Sequence, residues 1–405
     1  SYLVAFAFYI SYFVMSVPSS YLLKRVGFKK GMMVGFMCMA VGAFIFVPAA
    51  LTRTYEIFLV GLFSLGVGLA ILQTAANPYI TILGPIERAA QRFSIMGIAN
   101  KSAGILAPLV FAAVVLRATD NEMFAQLPMM TPEERSVILD ELIRRVILPY
   151  SIMGLALIGL GLFVRFSPLP EIDTEHETEE VAKSNSGKTS IFQFPHLILG
   201  AIGIFVHVGA QVISIDTIIG YAGSMGIQLF EARWFSSYTL TATMIGYILG
   251  VVCIPRFFSQ LTALRFCAAL GVALTLLIVF SSGEVRVFGH TADISIWFVV
   301  MLGFANSLIW AGLWAAALDG LGKFTKLGGS LMIMGLCGNA ILPLIYGHFA
   351  DTHSLRSAYW VLLPCYLYLV YYAVYGFRIR RWSLTNATKP LAPAASSLNQ
   401  QIENN

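Results

Sequence analysis

The feature that most limits the possible folds of this chain is a succession of long apolar runs. We count eleven of them, each close to the roughly 20 residues that a helix needs to cross the hydrocarbon core of a bilayer. They occupy 1–22, 31–51, 57–83, 93–117, 146–166, 194–222, 234–258, 263–281, 294–318, 327–349 and 355–377. Charged residues make up 12% of the chain, whereas a soluble domain carries about 25%. The sequence therefore predicts an all-α, polytopic membrane protein.

Lysine and arginine alternate between the loops on the two sides of these spans. The basic loops, together with the C-terminal end, contain Lys24, Arg25, Lys29, Lys30, Arg88, Arg92, Arg256, Arg265, Lys323, Lys326, Arg378, Arg380 and Arg381. The opposite short loops contain Arg53, Arg233, Arg286 and Arg356. By the positive-inside rule the first set of loops is cytoplasmic. We therefore expect a multi-pass protein of a cell inner membrane with its C-terminus in the cytoplasm.

The polar and acidic stretch 167–193 divides the spans into two groups and is typical of a linker. An N-terminal bundle, 1–166, holds five spans, and a C-terminal bundle, 194–381, holds six. A cytoplasmic C-terminus then places Ser1 outside, so we expect that a first helix is missing before Ser1 and that the intact protein has six helices in each bundle. A true eleven-span protein is the alternative. The tail, 382–405, is expected to be disordered.

The segment 118–145 is expected on the outer side. There, Thr131 precedes a proline and two glutamates, a pattern that predicts a helix N-cap and a short surface helix.

Two amide side chains interrupt the apolar stretch Leu69–Pro85. Gln73 and Asn77 are four residues apart and so share one face of a helix. Amides in hydrocarbon are costly unless something satisfies them. They either bridge neighbouring helices or line a wet cavity that binds a polar solute, and both interpretations remain open at this point.

The same stretch carries a family resemblance. Gln73-Thr-Ala-Ala-Asn77-Pro78, followed by Leu83-Gly84-Pro85, resembles the fourth-helix signature of the fucose and glucose–galactose permeases, the sugar:cation symporter family of the major facilitator superfamily that includes L-fucose:proton symport. Further similarity lies in Phe58–Phe63, Gly209–Gln211 and Gly347–Asp351. The resemblance implies two six-helix bundles that rock about one central sugar site. It also implies that Asn100 lies in the central cavity.

Seven residues are predicted to bind the sugar, because amides can bond its hydroxyl groups and indoles can stack on its rings. They are Gln73, Asn77 and Asn100 from one half, and Gln211, Asn306, Trp310 and Asn339 from the other. Aromatic residues of membrane proteins are also common in helix cores and interfacial belts, so that alternative stays open for Trp310.

Two charged residues inside the spans, Lys101 and Asp216, are the predicted cation-coupling groups. Asp216 either couples or faces the outer vestibule, and Lys101 either points inward or snorkels to the surface. The fucose permeases carry a glutamate where this chain has Gln73, which cannot titrate, so their coupling residue does not carry over directly. His207 is interpreted as a satisfied core group.

These features predict a secondary active transporter that imports a hexose of the glucose or galactose type with H⁺ or Na⁺. The alternatives are symport of L-fucose or another neutral sugar, an uncoupled facilitator or multidrug exporter, a sugar sensor, and a membrane-embedded enzyme, which would need paired catalytic groups. The five cysteines lie in apolar runs and form no metal-ligand or disulfide pattern. We expect no metal, no cofactor and no nucleic acid partner, and a monomer surrounded by lipid.

Overall fold

The computed structural model describes residues 2–115, 130–171, 185 and 187–382. Most of the predicted linker and nearly all of the predicted tail lie outside these residues. The helices are α1 (Tyr2–Thr52), α2 (Tyr55–Ile82), α3 (Ala89–Val115), α4 (Pro132–Arg145), α5 (Ile147–Phe166), α6 (Pro195–Asp216), α7 (Ile218–Ser224), α8 (Leu229–Cys253), α9 (Gln260–Phe280), α10 (Ile294–Asn306), α11 (Ile309–Leu318), α12 (Thr325–Met334), α13 (Gly338–Thr352), α14 (Leu355–Ala358) and α15 (Leu362–Val374). Two short strands, β1 (Glu284–Val287) and β2 (His290–Asp293), complete the fold.

Nine helices in the described part of the chain are long and apolar enough to cross a membrane. One of them, the part of α1 from Ile10 to Thr52, has 43 residues. This is about twice the length of one span. Gly27 divides it with a non-helical backbone (φ 81°, ψ 175°), at the place where the sequence predicts the first loop. With α1 divided there and α3 included, the helices follow the eleven expected runs. The all-α membrane architecture is confirmed.

Glycines allow the second half of α1 to pack closely on α2. A Cβ atom on Gly35 would lie 2.9 Å from the carbonyl oxygen of Gly68, and one on Gly42 would lie 2.7 Å from the amide nitrogen of Leu65. Small residues at such crossings let two membrane helices approach to backbone contact. This contact fixes α2, which carries Gln73 and Asn77.

Two of the apolar runs expected as single spans are interrupted in the middle. Ser307 and Leu308 separate α10 from α11, and a 3₁₀ turn, Gly335–Cys337, separates α12 from α13. Irregular backbone at membrane depth is tolerated where it is buried in protein or lines a cavity. The breaks place Asn306 and Asn339 beside irregular backbone.

The surface helix expected after Thr131 is present as α4. The Thr131 hydroxyl accepts from the Glu134 amide at 3.4 Å, and the Glu134 carboxylate accepts from the Thr131 amide at 3.1 Å. This is a reciprocal capping box, which confirms the prediction. Arg53, after the end of α1, binds Asp140 and donates to the Ser136 hydroxyl at 3.0 Å, so α4 is held against the N-terminal bundle.

The hairpin of β1 and β2 was not predicted from the sequence. Its strands are antiparallel, with Glu284 opposite Asp293, and Asp293 caps α10 by accepting from the Ser295 amide at 2.9 Å. Burial acts to raise the pKa of the Asp293 carboxyl, but hydrogen bonds from Ser295 and Gly283 and the charge of Arg356 outweigh it and leave the pKa below its usual value. The hairpin thus begins the next helix with an ionised cap.

Candidate functional site

The two bundles are joined at one end of the molecule, which we call the basic end because it carries the basic loops. Gln260 accepts from the Ala90 amide and donates to the Ile86 carbonyl, both at 3.2 Å. Gln91 donates to the Val251 carbonyl at 2.8 Å. Among the residues that the structure describes, these are the three hydrogen bonds between the bundles.

Close packing seals the same end. A Cβ atom on Gly329 of α12 would lie 2.4 Å from the ring of Pro78 on α2. The ammonium group of Lys326 lies 5.5 Å from the ring centre of Phe28, within the range of a cation–π contact. The basic end is therefore closed.

Aromatic contacts continue the seal towards the middle of the protein. The rings of Phe93 on α3 and Trp314 on α11 are 6.4 Å apart. One turn further along α3, a Cβ atom on Gly97 would lie 2.7 Å from the Tyr247 ring of α8. These contacts form the floor of the space between the bundles.

Beyond this floor α3 is less closely packed. Asn100 follows Phe93 by seven residues and so lies two turns further along on nearly the same face; its side chain is exposed, and Lys101 is half-buried. A Cβ atom on Gly104 would meet nothing within 4 Å. We conclude that the space between the bundles opens at the end opposite the basic end.

Lys101 and Asp216 lie on opposite bundles, on α3 and α6. The Lys101 ammonium on α3 and the Asp216 carboxylate on α6 interact electrostatically. Within the described part of the chain they make no direct ion pair. An attraction without contact is what a gap between the two bundles, away from the basic end, would produce.

The position of Asp216 differs from the prediction. The sequence placed it about five residues inside its span, whereas in the structure it is the last residue of α6 and is exposed. The reason is that Thr217 ends α6 and the short α7 follows, so the apolar run continues beyond the helix. Asp216 therefore lies exposed at the end of its helix instead of inside the span.

Gln73 and Asn77 use their amides inside the N-terminal bundle. The Gln73 side chain is half-buried and donates to the Tyr12 hydroxyl at 3.3 Å. Asn77 is 3% exposed and donates to the backbone carbonyl of Gln73 at 3.0 Å. Each amide thus spends one N–H within its own bundle, and no described residue donates to the side-chain oxygen of Gln73.

The three amides of the C-terminal bundle have different surroundings. Asn306 is 1% exposed, donates to Ser214 at 3.3 Å and accepts from the Tyr366 hydroxyl at 3.0 Å. Gln211 and Asn339 are half-buried, and the side-chain oxygen of Asn339 is buried without a hydrogen-bond partner. Asn306 is thus paired within its own bundle, whereas the side-chain oxygen of Asn339 is not.

A row of aromatic side chains lies between the floor and the centre of the C-terminal bundle. Trp310, half-buried on α11, has its ring 5.8 Å from that of Trp314 and 6.5 Å from that of His207. His207 is fully buried, and neither of its ring nitrogens has a partner. The expectation that His207 is a satisfied core group was wrong, because its neighbour Trp310 presents a ring to it instead of an acceptor.

The sequence offered a signal for His207 that the prediction missed. Gly200 and Gly203 precede it on the same face of α6, and a Cβ atom on either would lie within 3 Å of a side chain of α11. That glycine stripe packs α6 against α11 and aims His207 at Trp310.

A separate cavity of about 300 Å³ lies on the N-terminal bundle near the ends of α1 and α4. Four aromatic rings line it, and Phe46 and Tyr150 stack at 4.4 Å. It includes none of the predicted site residues.

Comparison with known proteins agrees with this fold. The family model described as Major Facilitator Superfamily matches residues 2–334. A glucose/galactose transporter of Brucella abortus is 32% identical over 93% of this chain and 85% of its own length. An L-fucose-proton symporter of Escherichia coli is 27% identical over 95% of this chain and 85% of its own.

Among solved structures, the transporter FucP in its outward conformation superposes with a TM-score of 0.77 at 26% identity, over 92% of this chain and 88% of that one.

Proposed function

The chain belongs to the major facilitator superfamily, and from this premise we propose that it imports a hexose of the glucose or galactose type with a cation, H⁺ or Na⁺, by alternating access. It is a multi-pass membrane protein and not an enzyme. We place it in a bacterial inner membrane as a monomer, with the basic end and the C-terminus in the cytoplasm, because the basic loops follow the positive-inside rule.

The single observation that carries the proposal is a space closed at the basic end and open at the other. Its floor is aromatic, formed by Phe93 and Trp314, and we assign the amides of Asn100 and Gln73 to the same space. A hexose presents hydroxyl groups and an apolar ring face, which amides and indoles match. A cavity for phosphate or carboxylate would instead be expected to carry arginine.

The choice of sugar follows the relatives. The glucose/galactose transporter of Brucella abortus is more similar to this chain than the L-fucose-proton symporter is, at 32% against 27% identity. We therefore propose glucose or galactose as the substrate, with L-fucose as the alternative. Within the site, Gln73, Asn100, Gln211, Trp310 and Asn339 are the residues that we assign to it, because their polar groups or ring faces are not all used within the protein.

Coupling is assigned to Asp216 with Lys101. Asp216 lies at the open mouth, where it can take up a cation from outside, and Lys101 on the other bundle competes for its charge. Closing the mouth would bring the two groups together and release the cation. This order of events couples ion movement to alternation.

Uptake into proteoliposomes tests the transport proposal. Purified protein should accumulate radiolabelled glucose or galactose when an inward H⁺ or Na⁺ gradient is imposed, and L-fucose should accumulate less. Equal uptake with and without either gradient would identify an uncoupled facilitator. No saturable uptake of any of the three sugars would contradict the proposal.

Asp216→Asn tests the coupling assignment in the same vesicles. Gradient-driven accumulation should be lost, because an amide cannot exchange the cation, while sugar counterflow, which needs no net ion movement, should persist. Asp351→Asn makes the same change at an exposed acid near the outer end of α13 and should leave both activities intact. Retained accumulation in Asp216→Asn would remove this carboxylate from the coupling step.

A further inference from the structure

His207 is a buried polar group with nothing in the protein to bind. Its side chain is 0% exposed, and both Nδ1 and Nε2 lack hydrogen-bond partners. The great majority of buried polar atoms are paired, and an orphaned one calls for an explanation such as a missing ligand or water. Two orphaned atoms on one ring make this residue unusual among the described side chains.

A histidine with a structural role in the same helix looks different. His196, at the basic end of α6, is as buried as His207, yet its Nε2 lies 3.1 Å from the carbonyl oxygen of Asp319 and 3.0 Å from the Arg380 guanidinium. His196 therefore joins α6 to its surroundings. His207 makes no comparable connection, so a purely structural role does not account for it.

The surroundings of His207 point towards the central cavity. Trp310 packs against the imidazole, and Lys101 from the other bundle acts on it electrostatically. Below Trp310, the indole nitrogen of the fully buried Trp314 also lacks a partner. Trp314 contacts Phe93 of the other bundle, so these unpaired nitrogens lie near the place where the bundles meet and where a polar ligand would satisfy them.

We propose that His207 is a further substrate-binding residue, covered by Trp310 in the empty protein and uncovered when the sugar enters. The neutral imidazole has one donor and one acceptor, which suits hydroxyl groups, since each of these can both donate and accept. The half-buried Trp310 ring is the movable part, and its displacement lets the imidazole bond one sugar hydroxyl group. The inference rests on the proposed hexose substrate.

Monodeoxy hexoses provide the test of binding. His207→Phe keeps a ring and removes both nitrogens, so the KM for the parent hexose should rise roughly tenfold, the loss of about one hydrogen bond. For the one deoxy analogue that lacks the bonded hydroxyl group, His207→Phe and the wild type should have equal KM values. His207→Gln, which retains a donor and an acceptor, should restore part of the loss.

The control is His348→Phe, the same change at an exposed histidine of α13, which should behave as the wild type. If His207→Phe raised the KM equally for the hexose and for every deoxy analogue, His207 would have a structural role and the proposal would be overturned. An unchanged KM for the hexose would overturn it as well. If the wild-type protein transported no hexose, the proposed function itself would be contradicted, and His207 would have no sugar to bind.

The cover is tested without any sugar. Diethyl pyrocarbonate modifies accessible imidazoles, so in the empty protein His207 should react far more slowly than the exposed His348, as measured by mass spectrometry of peptides. Trp310→Ala should make His207 reactive while leaving His348 unchanged. Rapid modification of His207 in the wild type, or continued protection in Trp310→Ala, would overturn the role of Trp310 as its cover.

Discussion

At the scale of single residues, Lys101 has the environment that demands most explanation. Its charged group is half-buried on α3 and acts on Asp216 and His207 of the opposite bundle. A lysine that snorkelled to the surface would not be expected to act on two residues of α6. We therefore propose the inward orientation, which the sequence left open.

Lys101→Met should lower gradient-driven sugar uptake strongly, because Asp216 would lose the charge that opposes its own. The double variant Lys101→Met/Asp216→Asn removes both charges and should regain counterflow but not accumulation. A double-mutant cycle on uptake rates measures this dependence. Lys30→Met, at an exposed lysine of the basic end, is the matched control. Full uptake by Lys101→Met alone would contradict the inward assignment.

Residue type and position within a span predicted which polar side chains lie inside the membrane. They did not predict which groups those side chains bind. Asn77, Asn100 and Asn306 looked equivalent in the sequence. In the structure Asn77 bonds its own helix, Asn306 bonds Ser214 and Tyr366, and Asn100 is exposed. The difference arises from helix rotation and from partners on distant segments, which no local pattern encodes.

At the scale of elements, apolar length predicted the membrane helices well, because every backbone group in lipid must be paired within a helix. It did not predict the breaks at Ser307–Leu308 and at Gly335–Cys337, where the residues remain apolar or small. Nor did it predict the β1–β2 hairpin, whose pairing is set between short polar segments. The capping signal at Thr131 was local and was read correctly.

Thr131→Ala should loosen α4 without unfolding the bundle. The loss of an N-cap costs about 1 kcal/mol, so hydrogen exchange of the α4 amides should accelerate about fivefold. Thr241→Ala, at an exposed threonine inside α8 whose hydroxyl bonds only its own helix, should leave α4 unchanged. If the α4 amide hydrogens exchanged at the wild-type rate in Thr131→Ala, the helix would be stabilised by the Arg53–Asp140 contact and by packing instead of by its N-cap.

At the scale of the whole molecule, the two bundles form a state that is closed at the basic end. The hydrogen bonds of Gln260 and Gln91 and the contact of Pro78 with Gly329 all lie there. Alternation to the opposite state must break these contacts while closing the mouth between Lys101 and Asp216. The few hydrogen bonds at the seal are consistent with two states close in free energy.

Gly329→Val should shift the protein away from the state that is closed at the basic end. A Cβ atom at this position would lie 2.4 Å from the Pro78 ring, and overpacking of this kind costs about 1–3 kcal/mol, a penalty that applies only while the basic end is closed. In a variant whose five native cysteines are replaced, Asn100→Cys should react readily with a membrane-impermeant maleimide added outside. Adding Gly329→Val should slow that labelling about fivefold or more.

The matched control is Gly347→Val on α13, because a Cβ atom there would meet nothing within 4 Å. It should leave the labelling of Asn100→Cys unchanged, whereas Gly329→Val should also slow sugar uptake, because the cycle would stall with the mouth shut. Undiminished labelling in Gly329→Val would mean that α12 and α2 can separate locally without moving the bundles. The contact at Pro78 would then be a consequence of the change between the two states and would not help to determine which state is populated.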